Sequence, residues 1–245
     1  MSHPHIVAAF DKELQTLVAS IGAMGDFAGT QFVDAVHALL HRELELSQRV
    51  VDQDRQLDAL RRDLSAAAAG VIARRQPLAS DLDEILADFR IVEDLERVGD
   101  LAKNIAKRAV AVAGHDFPED IVASLEQLAE MASSQLKGAL AAYAVRDAGH
   151  ALAVRKQDEE IDRLHTSVFR NIVARMNADQ TQVVPFVHLL FCAKNIERVG
   201  DHATHIAEAA YLLATGYPPD GERRRLDESS NITGDTFVGE FVLKP

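Results

Sequence analysis

The sequence predicts an all-α protein made of two tandem, pseudo-symmetric, antiparallel three-helix bundles followed by a short irregular C-terminal tail. Three observations lead to that fold class. Proline occurs at positions 4, 77, 118, 185, 218, 219 and 245, leaving long intervals in which no residue removes a backbone donor or clashes with the preceding helical turn. Apolar residues in those intervals recur at steps of three and four, whereas no segment before the C-terminus alternates with period two. The second half also repeats the first. Glu96-Arg97-Val98-Gly99-Asp100 returns as Glu197-Arg198-Val199-Gly200-Asp201, and Ala102, Ile105 and Ala106 return as Ala203, Ile206 and Ala207, eight identities in eleven positions. Duplication of a three-helix unit accounts for this.

The first helix carries Phe10, Leu14, Leu17, Ile21 and Met24 on one face, continued by Phe32, Val36 and Leu39. A second begins near Leu44, runs through Val50, Leu57, Leu60, Leu64 and Val71, and stops at Arg74-Arg75-Gln76-Pro77. The third runs from Leu82 through Ile85, Phe89 and Val92 to Ile105 and Ala109, with Lys107 and Arg108 in its last turn and Gly114 beyond. Cations suit the negative end of a helix, and glycine suits a C-terminal cap. In the second half Ile121, Leu125, Leu128, Leu136 and Tyr143 mark a fourth helix. Val154, Ile161, Leu164, Val168 and Ile172 mark a fifth, and Phe186, Leu190, Ala193, Ile206 and Tyr211 a sixth. Between the last two, Met176-Asn177-Ala178-Asp179-Gln180 has a turn composition. The domains expected are therefore residues 5–113 and 117–215. Residues 216–245 form the tail, polar over 220–231 and expected to be largely mobile, with a short strand or docking segment conceivable at 236–243.

Composition narrows the function. At 245 residues and a formal charge of −12, the chain lacks the basic face that sequence-independent nucleic-acid binding requires, and anionic lipid surfaces are disfavoured too. The one cysteine, Cys192, excludes an intrachain disulfide and any zinc site built on several thiolates, and its apolar surroundings predict an inert buried thiol. Apolar runs such as 66–73 and 183–193 are shorter than the ~20 residues of a membrane-spanning helix. A cytoplasmic location is the expectation.

The acidic residues are placed unusually. Like charges four apart on a helix destabilise it by roughly 0.2–0.5 kcal/mol, yet Asp54/Asp58, Glu96/Asp100, Asp158/Asp162 and Glu197/Asp201 all have this spacing. They also fall where a helical seam should be apolar: Glu96 extends the stripe Ile85, Phe89, Val92, and Asp158 lies between Val154 and Ile161. Residues equidistant from the turn of an antiparallel hairpin lie at one height. The pairs 58 with 96 and 54 with 100 centre on Pro77, while 162 with 197 and 158 with 201 centre between 179 and 180. Each half thus brings four carboxylates to one level, about 28 Å from its hairpin at ~1.5 Å per residue. Desolvated carboxylates need partners or metal. All-oxygen ligation suits hard cations, with iron, zinc, manganese, magnesium and calcium all open, as divalent or trivalent ions in a multinuclear cluster. Asn104 and His205, one turn beyond Asp100 and Asp201, are possible additional ligands, with His202 a lesser candidate. The competing reading is a solvated acidic face with Arg55, Arg61, Arg62 and Arg97 as partners. Gly99 and Gly200 lie mid-helix, where glycine costs about 1 kcal/mol relative to alanine, and so imply a close neighbour or a bound ion.

At these residues the sequence resembles the PhoU family of bacterial phosphate-uptake regulators, over about residues 5–215. The likeness is carried by Phe10-x-x-Glu13-Leu14, Arg75-Gln76-Pro77, Asp81-Leu82, Leu95-Glu96-Arg97-Val98-Gly99-Asp100, Asn104-Ile105-Ala106-Lys107-Arg108, Asp158-x-x-Ile161-Asp162 and Glu197-Arg198-Val199-Gly200-Asp201-His202-Ala203. The resemblance implies two metal clusters, one on Asp54, Asp58, Glu96 and Asp100, the other on Asp158, Asp162, Glu197 and Asp201. It implies a negative regulator of the phosphate regulon, not an enzyme, acting as an adaptor between the ATPase of a phosphate ABC transporter and a phosphate-sensing histidine kinase of a two-component system. A homodimer, touching the inner membrane only through partners, is the expected assembly. Phosphate or a phosphorylated group filling open coordination positions is a further expectation. A ferritin-like di-iron oxidase is disfavoured, because no Glu-x-x-His motif occurs.

Overall fold

A computed structural model describes residues 4–77, 80–221, 223 and 225–232. The chain forms six long α-helices: α1 (Pro4–His41), α2 (Leu44–Arg75), α3 (Ser80–Val112), α4 (Glu119–Val145), α5 (Ala148–Ala178) and α6 (Val183–Thr215). Two short 3-10 turns, Gln180–Gln182 and Ser229–Asn231, complete the described structure, which contains no strand. The region 236–243 lies outside the described residues.

Local chemistry sets the breaks. The α2 helix ends where Gln76 turns left-handed (φ 49°) and its N–H donates to the Ile72 carbonyl, with Pro77 preventing continuation. Arg74 and Arg75 in its last turn pair with Glu13 of α1. Asp147 caps α5 by accepting from the His150 N–H at 2.9 Å. Asp179 caps the 3-10 turn by accepting from the Thr181 N–H, and Pro185 sits in the first turn of α6, where a missing N–H costs no helical bond. Gly216 (φ 78°) ends α6. The α1–α2 break has neither glycine nor proline within it: Arg42 adopts φ 59° and the Glu43 N–H returns to the Ala38 carbonyl.

Helices α1–α3 pack together, as do α4–α6, and α3 lies against α6 and α1 against α4 across the seam between halves. One continuous apolar core, from Leu14 and Ile21 through Ile91 and Leu95 to Val199 and Ile206, runs through both halves. Burying that surface is the main stabilising term, at roughly 25 cal/mol per Å². Cys192 is fully buried there, and desolvation pushes its thiol up to about 12, so it is inert. Polar contacts also span the seam, among them Tyr143 donating to Asp88 and Arg146 pairing with Glu84. No helix among the described residues is long and apolar enough to cross a membrane.

Candidate functional site

In the first half, Asp54 and Asp58 lie on α2, and Glu96 and Asp100 on α3. Lys103 Nζ donates to Asp54 Oδ2 at 2.8 Å and Asp100 Oδ1 at 2.6 Å, so positions 54 and 100 stand at one height across the hairpin. Burial opposes the lysine charge, but the bonds to Asp100 and Asp54 outweigh it and lift its pKa to about 12. Arg97 reaches Asp100 at 3.3 Å and Glu96 at 3.5 Å, and Arg61 donates to Glu93 while lying in the field of Glu96 and Asp58. Glu96, with 16% of its side chain exposed, has a carboxyl raised above the usual range by desolvation and by repulsion from Asp100.

The second quartet is drier. Asp158, Asp162 and Glu197 are 1%, 2% and 4% exposed. Described residues of the tail, Arg223, Leu226 and Asp227, lie against this site. Arg223 inserts its guanidinium between Asp158 and Asp201, donating from Nε to Asp158 at 2.8 Å and from Nη2 to both carboxylates. Burial works against its charge, and Asp158 and Asp201 more than compensate. The Leu226 N–H donates to Asp162 Oδ2 at 2.6 Å. Asp227 binds Lys194 at 2.9 Å and His165 at 3.1 Å, and Lys194 also donates to Glu197 at 2.8 Å. Burial opposes the Asp227 charge, but the bonds from Lys194 and Ser229 overcome it and hold the carboxyl well below its usual range. Glu197 goes the other way, to about 7, because desolvation outweighs the Lys194 bond and Asp201 adds repulsion. The polar tail docks because it supplies a cation and a backbone donor to carboxylates that α5 and α6 leave without them.

The glycines make room for buried side chains. A Cβ on Gly99 would lie 2.0 Å from Leu57 Cδ2 and 3.4 Å from Gln31 Oε1; one on Gly200 would meet Gln135 Oε1 at 2.9 Å and Ile161 Cδ1 at 3.2 Å. Gln31 on α1 and Gln135 on α4 occupy equivalent places, and both are buried. Gln135 donates to Thr204 Oγ1 at 2.9 Å and to Asp158 at 3.4 Å. Buried acceptors without a hydrogen-bond partner among the described residues include Glu197 Oε2, Gln31 Oε1, Gln135 Oε1 and Glu96 Oε2, the last with the Arg97 guanidinium 3.5 Å away, beyond a well-formed hydrogen bond. They form two matched pairs, one per half. Orphaned acceptors beside clustered carboxylates fit a cation, since such oxygens otherwise lose their desolvation cost uncompensated. No three donor atoms within either quartet, however, lie within 4.8 Å of one another among the described residues. Lys103 and Arg223 stand between them instead.

Of the additional candidates, Asn104 is exposed. His205 hydrogen-bonds Asp94 of the first half at 3.4 Å, and His202 bonds the same oxygen at 2.8 Å, so neither histidine bonds a quartet carboxylate among the described residues. Sequence reasoning missed Arg223, Lys103, Lys194, Asp227 and Asp94. The cations at i+3 from Asp100 and i−3 from Glu197 were legible as helical neighbours, and the Gln31/Gln135 pair recurs at the same offset of 104 as the Asp54/Asp158 pair. Arg223 carried no such signal.

Comparison with known proteins agrees with the duplication. The family described as "PhoU domain" matches twice, over residues 21–109 and 125–210. The "Phosphate-specific transport system accessory protein PhoU homolog" of Rhizobium meliloti (strain 1021) is 50% identical over 232 residues, covering 95% of this chain and 98% of that protein. Its namesake in Caulobacter vibrioides (strain NA1000 / CB15N) is 38% identical, covering 91% and 97%. The crystal structure of PhoU from Pseudomonas aeruginosa superposes with a TM-score of 0.82 at 32% identity, covering 85% of this chain and all of that one. The phosphate transport system regulatory protein PhoU from Streptococcus pneumoniae gives 0.80 at 25% identity, covering 86% and 100%. With two family matches in register with the two helical triplets, and relatives aligned nearly end to end, the chain belongs to the PhoU family.

Proposed function

We propose that the chain is a cytoplasmic accessory protein of a phosphate-specific transport system and a negative regulator of the phosphate response, coupling the transporter ATPase to a sensor histidine kinase. The observation that carries this reading is the 50% identity, over nearly the whole of both chains, to a relative named as a phosphate-specific transport accessory protein. It acts by binding, not by catalysis. The relatives are named accessory or regulatory proteins, and the inert Cys192 offers no nucleophile.

Metal binding is part of the proposal. Asp54, Asp58, Glu96 and Asp100 would hold one cluster, and Asp158, Asp162, Glu197 and Asp201 the other. Bound cations would supply fixed positive charge, with open positions suited to phosphate or a phosphoryl group. Support comes from the Glu96 and Glu197 oxygens at matched places that accept no hydrogen bond, although Arg97 lies 3.5 Å from the first. For metal to enter, Lys103 must swing away from Asp54 and Asp100, and Arg223 must leave Asp158 and Asp201. The second quartet therefore takes metal only when the tail lifts. Those same two cations favour a second reading, a metal-free scaffold in which they are permanent counterions.

The regulatory claim is tested by deleting the gene in its source organism and measuring phosphate-starvation transcripts in rich phosphate. Derepression, reversed by the wild-type chain, supports it; a normally repressed response removes it. Complementation with the Glu96→Ala/Asp100→Ala variant then separates the readings. Failure to restore repression by a variant that keeps its helix content supports the metal cluster, and full restoration supports the scaffold.

A further inference from the structure

Asp94 belongs to neither quartet. It lies two residues before Glu96 on α3, and its side chain crosses the seam to α6 of the second half. There Asp94 Oδ1 is 2.8 Å from His202 Nδ1 and 3.4 Å from His205 Nδ1. Among the described residues this is the one group of three or more His, Cys, Asp or Glu side chains whose donor atoms all lie within 4.8 Å of one another. The two histidines are three apart on one helix, which places them side by side on a face. Their rings stand edge to face with centroids 5.7 Å apart.

We propose that Asp94, His202 and His205 form a transition-metal site that ties the two halves of the protein together. Two imidazoles and one carboxylate are a donor set for zinc, cobalt, iron(II) or manganese, and differ from the all-oxygen quartets in admitting borderline-soft ions. Donors around a tetrahedral zinc at ~2.0–2.2 Å sit about 3.3 Å from one another. The 2.8 and 3.4 Å separations are already close to that, so small side-chain rotations seat an ion. Both supporting helices are central to the bundle, and α3 packs along α6. The donors are therefore held by rigid elements, as a preorganised site requires. On one side the cluster opens to a hollow of about 610 Å³ lined in part by Asp94, His205, Glu93, Arg90 and Glu208. Glu208, one turn beyond His205, lines the same hollow and, released from Arg155, to which it is bonded at 2.8 Å, would offer a fourth donor. This inference stands apart from the proposed function, since it uses none of the eight quartet residues.

The test uses the full chain without a histidine tag, stripped with a chelator and titrated with cobalt(II). Expected is one equivalent showing the visible absorption of nitrogen-coordinated, low-symmetry cobalt, with hyperfine-shifted proton signals from two imidazole N–H groups. That equivalent is lost in His202→Asn/His205→Asn and in Asp94→Asn and retained in Glu96→Ala/Asp100→Ala. Where the double variant fails to fold by circular dichroism, Asp94→Asn carries the same comparison, and the two imidazole signals in the wild-type protein supply an independent readout. A wild-type spectrum without nitrogen ligation, or one that Asp94→Asn leaves unchanged, overturns the proposal.

Discussion

Replacing Arg223 with glutamine probes the contact between the tail and the second quartet. The guanidinium donates to both Asp158 and Asp201, and only 11% of the side chain is exposed. Charge-assisted hydrogen bonds contribute about 1.5–3 kcal/mol each, so the gross loss is several kcal/mol. The net effect is smaller. Asp158 keeps its contacts with Gln135 and Thr204, and water reaches the carboxylates once the segment lifts. Lys194 to Asp227 and the Glu228 N–H to Thr166 remain as further anchors. A net loss of about 2 kcal/mol corresponds to a roughly 30-fold shift in the opening equilibrium. Amide hydrogen exchange reads this directly, because the Leu226, Glu228 and Ser229 N–H groups donate to Asp162, Thr166 and Asp227. Their protection falls about 30-fold in Arg223→Gln, while amides of the α5 and α6 core keep theirs. Manganese affinity at the second quartet rises by a similar factor, since the competing closed state is depopulated. Unchanged protection at these three amides would refute the idea that Arg223 anchors the tail.

Asp88 supplies a pH test. It is 1% exposed, and burial raises its carboxyl to about 6 despite the Tyr143 hydrogen bond, with Glu84 adding repulsion. The folded protein thus keeps a proton between about 3.8 and 6 that the unfolded chain releases. This group's contribution to stability therefore falls as pH rises through that window, by up to about 3 kcal/mol, and is flat above it. Chemical denaturation at pH 5 and 7.5 should show the wild type losing more stability over that rise than Asp88→Asn; identical pH dependences would contradict the burial argument. Gly99→Ala tests the close approach of Leu57. Helix propensity favours alanine by about 1 kcal/mol, but overpacking costs about 1–3 kcal/mol, so a net destabilisation near 1 kcal/mol is expected. Adding Leu57→Ala relieves the clash and makes the two changes non-additive; a stabilising Gly99→Ala would show that the space is free.

The fold was legible because its signals are local or repeated. Proline spacing and three-four periodicity marked six helices, and the Glu96 and Glu197 motifs showed the duplication. Antiparallel geometry then placed positions 54 and 100 at one height, and the Lys103 bridge shows the same pairing. Other features left no such trace. The α1–α2 break rests on a left-handed Arg42, which no residue preference announces. Arg223 sits in an aperiodic polar segment whose seat depends on a charge deficit created by α5 and α6. The Asp94 contacts join residues more than a hundred positions apart, and the spacing of His205 from Asp201 carried no sign of its bond to Asp94. Long-range polar pairings follow from how helices pack, and periodicity specifies only which face is apolar.

Anomalous diffraction from crystals of the untagged protein grown with manganese tests the metal assignment most directly. Peaks are expected about 2.0–2.5 Å from carboxylate oxygens of Asp54, Asp58, Glu96 and Asp100, with Lys103 displaced from between Asp54 and Asp100. An absence of peaks at that quartet, with Lys103 still bridging the two aspartates, would contradict that assignment.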